Sequence, residues 1–272
     1  MFRFSQDRLP VALITALTLV DFCVFLLVDR PAFLLGYFVL MTIPRGVVCA
    51  WSHHHQHCAT FRSTALNRLL EVSYALHTGT TTNLWFLHHV VGHHVNYLDQ
   101  SKDESSWTRK DGSKMGELEY TWWTTLTAYP RAFVVGRRFP KAQRQFVIFT
   151  VLTLLLVATL VWFRPLAGLL VFALPMLVSL TYTAWVTYDH HAGLETDDAM
   201  SASYNVVNAW YNRWTGNLGY HTAHHLRPGI HWSKLPVLHA SIEASIPRHL
   251  YRGSYLAPST WSGTQSPSSD PA

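Results

Sequence analysis

Four apolar runs rise out of a mixed sequence, at residues 11–28, 31–51, 146–163 and 166–186. A helix needs about 20 apolar residues to cross a bilayer, with a tolerance of about 17–25. All four runs qualify, so the pattern predicts four membrane-spanning helices. The first run carries one acid, Asp21, and the second is broken near its end by Pro44 and Arg45. The first is not read as a cleaved leader. It has no small-residue cleavage site, and the chain passes through Asp29, Arg30 and Pro31 straight into the next run.

The runs pair into two hairpins, turning at residues 29–31 and 164–165. Tight turns put both tips on one side of the membrane. The N-terminus, the middle segment 52–145 and the segment 187–256 then share the other side. Those three regions hold 18 of the 21 Lys and Arg, the tips hold Arg30 and Arg164, and Arg45 lies inside the second run. By the positive-inside rule the polar side is cytosolic. The expected architecture is all-α and integral to the membrane: four transmembrane helices in two hairpins, with a cytosolic helical cap. The middle segment reads as helices interrupted at Gly112 and Pro130. One domain over residues 1–257 is expected, with a Ser/Pro-rich disordered tail at 258–272.

Composition agrees. Charged residues make up only 14% of the chain, against roughly 25% in an average soluble domain. The net charge of +5 could suit nucleic acid or anionic lipid. With four spans present, lipid and loop charge explain it, and no nucleic-acid partner is expected. Cys23, Cys49 and Cys58 form no CxxC pair. That argues against a zinc ribbon, a rubredoxin-type iron site and a redox dithiol.

The 17 histidines are the anomaly, because they cluster. WSHHHQH holds His53 and His57. LHHVVGHH holds His89, His93 and His94. YDHHAGL holds His191, and GYHTAHH holds His221, His224 and His225. All nine fall on the side already assigned to the cytosol from apolar runs and Lys/Arg alone. Residues three or four apart share a helix face, so each box is expected to aim its imidazoles at one point. A single HxxxH is usually no more than a polar stretch of helix; three in order beside span ends are not. Nine ligands exceed what one four-coordinate zinc uses. They suit two ions with positions left open for oxygen, although imidazole by itself does not choose among iron, copper, nickel and zinc.

At these residues the chain resembles the membrane-bound fatty acid desaturase and alkane hydroxylase superfamily, over residues of about 10–250. LHHVVGHH resembles both branches. HAGL at 191–194 resembles the HYGL segment of alkane hydroxylases, which would make His191 the lone ninth ligand. GNLGYHTAHHLRPGIHWSKLP at 216–236 resembles the third box of acyl-lipid desaturases. The resemblance implies two iron ions held by the nine histidines, oxygen as co-substrate, and a fatty acid or acyl-lipid substrate. The expected reaction is fatty acid desaturation. Hydroxylation, or oxidative decarboxylation to a terminal alkene, is the alternative on the same fold. No fused electron-donor domain is expected, so a separate ferredoxin, rubredoxin or cytochrome with its reductase is implied. A bacterial inner membrane is the expected setting. One departure concerns the carrier: acyl-CoA desaturases place an Asn four residues before the lone histidine, and here that position is Thr187.

A different class, a membrane metal transporter or receptor, would place polar residues near mid-bilayer on several helices; only Asp21 is evident, and it reads as an interhelical hydrogen-bonding group. Among other residues, His54, His55, His88 and His190 fit the box spacing less well and read as supporting or surface groups. His77, His231, His239 and His249 stand alone. Asp99, Asp103, Glu104, Asp189 and Glu71 are candidates either to brace ligands or to sit on the surface. Trp85, Trp122, Trp123 and Tyr129 suit a tunnel wall or an interfacial belt. Arg131, Arg137, Arg138, Lys141 and Arg144 suit lipid head groups.

Overall fold

The computed structural model describes residues 1–253. The expected domain end at 257 and the tail at 258–272 lie outside the described residues. Within them the chain is helical; pairing of extended backbone is confined to isolated bridges such as Phe2 with Phe61.

Four helical stretches are long and apolar enough to cross a membrane. They are α1 (Arg8–Leu27), α2 (Pro31–His57), α5 (Pro140–Phe163), and α6 (Pro165–Gly168) continued by α7 (Leu174–His191). Proline opens α2, α5 and α6, where its missing N–H would be unsatisfied in any case. Pro44 and Arg45 interrupt the apolar run but not the helix. α2 runs on to His57 with Pro44 inside it, and Arg45 is buried rather than solvated. Its guanidinium donates to Asp21 Oδ1 of α1 at 2.8 Å and to the Val171 carbonyl at 3.1 Å. That carbonyl is free for a reason written in the sequence. A proline ring clashes with the carbonyl four residues back, and Pro175 follows Val171 by four. A π-turn at Leu169–Ala173 joins α6 to α7 at this point.

The segment after α2 does not lie wholly beyond the span ends. α3 (Thr64–Thr78) starts at a Ser63 cap and packs among α1, α2 and α7. Its Leu76 joins the core cluster of Phe25, Leu34, Tyr37 and Leu160. Its His77 sits 3.3 Å from Asp21 Oδ2 and 2.9 Å from Thr18 Oγ1. The periodic sequence of α3 hid this placement, because its polar edge faces other polar groups instead of water. The helix stops at Gly79, whose φ of +68° suits glycine. A Cβ there would also lie 2.3 Å from the Met176 carbonyl oxygen.

α4 (Glu117–Gly136) carries Pro130 inside it, where an interruption was expected. It packs along α7, with the Trp185 indole donating to Glu117. Its other face exposes Leu118, Trp122, Trp123 and Leu126. The C-terminal part adds three short helices, α8 (Ala209–Thr215), α9 (His221–Leu226) and α10 (Leu235–Ile242). The N-terminus ties this part down: Asp7 accepts from His231 at 3.0 Å and from the Trp232 indole at 2.8 Å.

Candidate metal centre

The final turns of α2 carry His53 and His57 on one face. The two histidines between them turn away, since successive helical residues are about 100° apart. His54 Nε2 meets the Thr215 carbonyl at 2.9 Å. His55 is held between Thr60 Oγ1 at 2.9 Å and Glu71 Oε1 at 3.2 Å. The second box sits on a π-turn at Phe86–Val90. The His89 carbonyl accepts from both His93 N–H, at 3.0 Å, and His94 N–H, at 2.9 Å. This mixed turn sends the two neighbours in different directions. The third box occupies α9, and His191 ends α7.

The structure gathers all nine of these histidines, but not one box to one point. His53, His57, His89, His94 and His224 bring ring nitrogens within 4.8 Å of one another, and His93, His191 and His225 do the same. His221 adjoins the second group, with Nε2 at 3.1 Å from His191 and 3.2 Å from His225. Each adjacent pair, His93–His94 and His224–His225, is therefore split between two clusters. The expectation of one point per box needed that correction, because neighbours on a helical turn cannot face the same way. The result is a five-histidine cluster and a four-histidine cluster, side by side.

All nine rings are mostly or wholly buried. Burial, followed by mutual repulsion, pushes the pKa values of His89, His94, His221, His224 and His225 well below the usual range. These rings are neutral at neutral pH, with lone pairs available. Their contacts are not a satisfied hydrogen-bond network. His89 Nε2 has two other Nε2 atoms close by, His53 at 2.8 Å and His94 at 3.0 Å, while a neutral imidazole carries a single N–H. Both nitrogens of His57 and the Nδ1 atoms of His53, His94, His221 and His225 are buried without a hydrogen-bond partner. Buried polar groups are normally paired. Ring nitrogens that converge this closely are what a bound cation satisfies, so the residues fit metal.

Two of the rings are braced from behind. His93 Nδ1 lies 2.8 and 3.0 Å from the oxygens of Asp103, and His191 Nδ1 lies 2.9 Å from the Ala202 carbonyl. Of the candidate acids, only Asp103 braces one of the nine histidines. Asp99 pairs with Lys102 at the surface, Asp189 with Arg252, and Glu71 with Arg68 and His55. Glu104 is half-buried beside Arg131, which donates to its carbonyl. His88 is buried with neither nitrogen paired. His190 packs 3.8 Å from the His221 ring. Tyr97 was missed. Its ring packs tilted against His225, with centroids 4.4 Å apart, and lies 6.3 Å from both His93 and His191. It follows His93 by one helical turn, a spacing that could have drawn attention to it.

A cavity of about 50 Å³, partly open to the outside, abuts both clusters. One face of α2 (Gly46, Cys49, Ala50, His53) and one face of α7 (Tyr182, Thr183, Val186, Thr187, His190) form its long walls. Trp85, His89, Tyr211, Thr215, Leu218 and His221 complete the lining, which contains no Lys, Arg, Asp or Glu. Trp85 is thus a wall residue, whereas Trp122 and Trp123 are exposed and Tyr129 donates to the Gly79 carbonyl.

A family model described as fatty acid desaturase matches residues 30–255, a stretch that includes every box. No curated protein matches the chain, and no solved structure does.

Proposed function

Because the chain belongs to the fatty acid desaturase family, we propose that it uses a histidine-held pair of iron ions and molecular oxygen to desaturate a fatty acyl chain. The observation that carries the reading is two buried clusters of imidazoles opening on one largely apolar cavity. In this reading His53, His57, His89, His94 and His224 hold one ion, and His93, His191, His221 and His225 hold the other. Bound iron, with oxygen and external electrons, supplies an oxidising power that no side chain has.

The protein's own part is position and environment. Asp103 and the Ala202 carbonyl take the outer N–H of His93 and His191, which fixes the tautomer and turns each Nε2 lone pair inward. The walls of α2 and α7 hold an extended apolar chain beside His53, His89 and His221. Their lack of charge keeps competing polar groups away from the reacting carbons. Electrons come from a separate ferredoxin, rubredoxin or cytochrome with its reductase, and the substrate arrives from the membrane as a free acid or acyl lipid. The proposed setting keeps the histidine clusters and both termini cytosolic.

The test is mass spectrometry on a uniformly labelled saturated fatty acid, using the iron-loaded full chain with a reduced electron donor. A product lighter by two hydrogens, with all carbons retained, is expected. A hydroxy acid, or an alkene one carbon shorter, would keep the fold and site but replace the reaction. Iron analysis is expected to give close to two per chain; one ion or fewer of any metal would sink the paired-ion reading.

A further inference from the structure

We propose that Asn205 is a positioning residue for both histidine clusters: its side-chain amide caps α9 from a distant part of the chain and fixes where His221, His224 and His225 point. The inference rests on the metal-holding reading above and deepens it.

α9 needs such a partner. It is six residues long, and a helix that short does not hold itself together. It carries three of the nine histidines, His224 in the five-histidine cluster and His221 and His225 in the other. Its first N–H groups have no partner inside the helix. A helix ordinarily meets that need with its own capping side chain. α8 does so, with Asn208 accepting from the Tyr211 N–H at 2.9 Å. The capping position of α9 is Tyr220, whose side chain makes no such bond.

Asn205 takes over the task from outside the helix. Its Oδ1 accepts from the Thr222 N–H at 3.0 Å, and its Nδ2 donates to Thr222 Oγ1 at 2.7 Å. Ser203 Oγ lies 2.9 Å from the same hydroxyl. Ser203, Asn205 and Thr222 are each 0% exposed, so water does not replace a lost bond there, and buried polar groups need partners. Three positions before Asn205, the Ala202 carbonyl meets His191 Nδ1 at 2.9 Å. The short stretch 202–205 therefore braces His191 directly and the three histidines of α9 through Thr222.

That stretch is itself pinned. The Asn205 N–H donates to the Leu250 carbonyl at 2.7 Å, and the Arg252 N–H donates to the Asn205 carbonyl at 2.8 Å. The Arg252 guanidinium lies over the Tyr204 ring, 3.4 Å from its centroid, and donates to the Asp189 carbonyl at 3.1 Å. The backbone bonds at position 205 are open to any residue with an N–H. What asparagine adds is a donor and an acceptor on one short side chain, which meet the N–H and the hydroxyl of Thr222 together.

The experiment titrates cobalt(II) into the metal-free full chain in detergent and follows the d–d absorption of the bound ion. The thermal midpoint of the metal-free protein is measured alongside. Asn205→Leu keeps the backbone bonds to Leu250 and Arg252 and loses both amide bonds. It should weaken cobalt binding about 10–100-fold, the usual cost of removing an outer partner of a metal ligand, and alter the absorption band. Thr222→Val keeps the shape of the side chain without its hydroxyl and should move both readouts the same way by less. Thr222→Ser, which retains the hydroxyl, should recover the wild-type titration and band. A lowered thermal midpoint with wild-type cobalt affinity and band would make Asn205 merely structural and overturn the proposal. If Asn205→Leu does not fold, the two variants at position 222 decide: a Thr222→Val titration equal to wild type overturns it. A wild-type chain that binds neither cobalt nor iron would instead overturn the metal-holding reading, and this inference with it.

Discussion

Asp103 holds His93 with both of its oxygens, 2.8 and 3.0 Å from Nδ1, and both side chains are buried. The carboxylate is placed to accept an Nδ1–H, and Nε2 faces His191, 3.3 Å away. Removing such an outer partner typically costs 10–100-fold in metal affinity or activity. Asp103→Ala should lower metal retention in the four-histidine cluster by about that factor. Asp103→Asn, which can still accept from Nδ1–H, should lose less. Iron content after graded chelation is the measurement. Equal retention in wild type and Asp103→Ala would show that the bond does not tune the site.

A second prediction separates two neighbours at the end of α7. His191 Nε2 points at His93 and His221, whereas His190 lines the cavity and packs on the His221 ring. His191→Ala should reduce bound iron toward one per chain and abolish turnover. His190→Ala should keep most of the iron while impairing turnover or changing the product distribution. Metal analysis beside product analysis distinguishes them, and the reverse order would mean that the ligand assignment is off by one residue.

Much of this was legible in the sequence, for physical reasons. A bilayer demands long apolar helices, so the four spans stood out. The nine histidines that converge are the same nine that spacing and resemblance singled out. What the sequence hid was placement set by tertiary partners. α3 falls in the segment expected to lie beyond the span ends, yet its His77 meets Thr18 and Asp21. Pro130 reads as a loop position, yet it lies inside α4. The split of each adjacent histidine pair depends on local turn geometry that a one-dimensional spacing does not encode. The contact between Gly46 of α2 and Tyr182 of α7 is invisible in sequence, because 136 positions separate the two residues.

Topology supplies a third prediction. Arg30, between α1 and α2, and Lys102, in the loop after the second box, are both exposed. In a Cys23→Ser, Cys58→Ser background, Arg30→Cys should react with a membrane-impermeant maleimide added outside intact cells. Lys102→Cys should react only after permeabilisation. The expectation comes from the Lys/Arg asymmetry, to which juxtamembrane positive charge is the guide. Labelling of position 102 from outside would invert the orientation.

The last prediction concerns the buried charges that join α1, α2 and α3. Asp21 and Arg45 are at most 1% exposed. Asp21 also accepts from Tyr37 at 2.5 Å and faces His77 at 3.3 Å. Removing one member leaves the other charge buried without compensation, at a cost of about 3–5 kcal/mol. Replacing both with apolar groups of similar size is often near neutral. Asp21→Leu and Arg45→Met should therefore each lower the thermal midpoint of the detergent-solubilised protein. The double variant should lose less than either single one. Tyr37 and His77 would still be deprived of a partner, so recovery should be partial. Histidine-cluster metal content gives a second readout, because α3 leads into the second box. If the two losses simply add, the residues act independently, and the pair does not lock α3 between the spans.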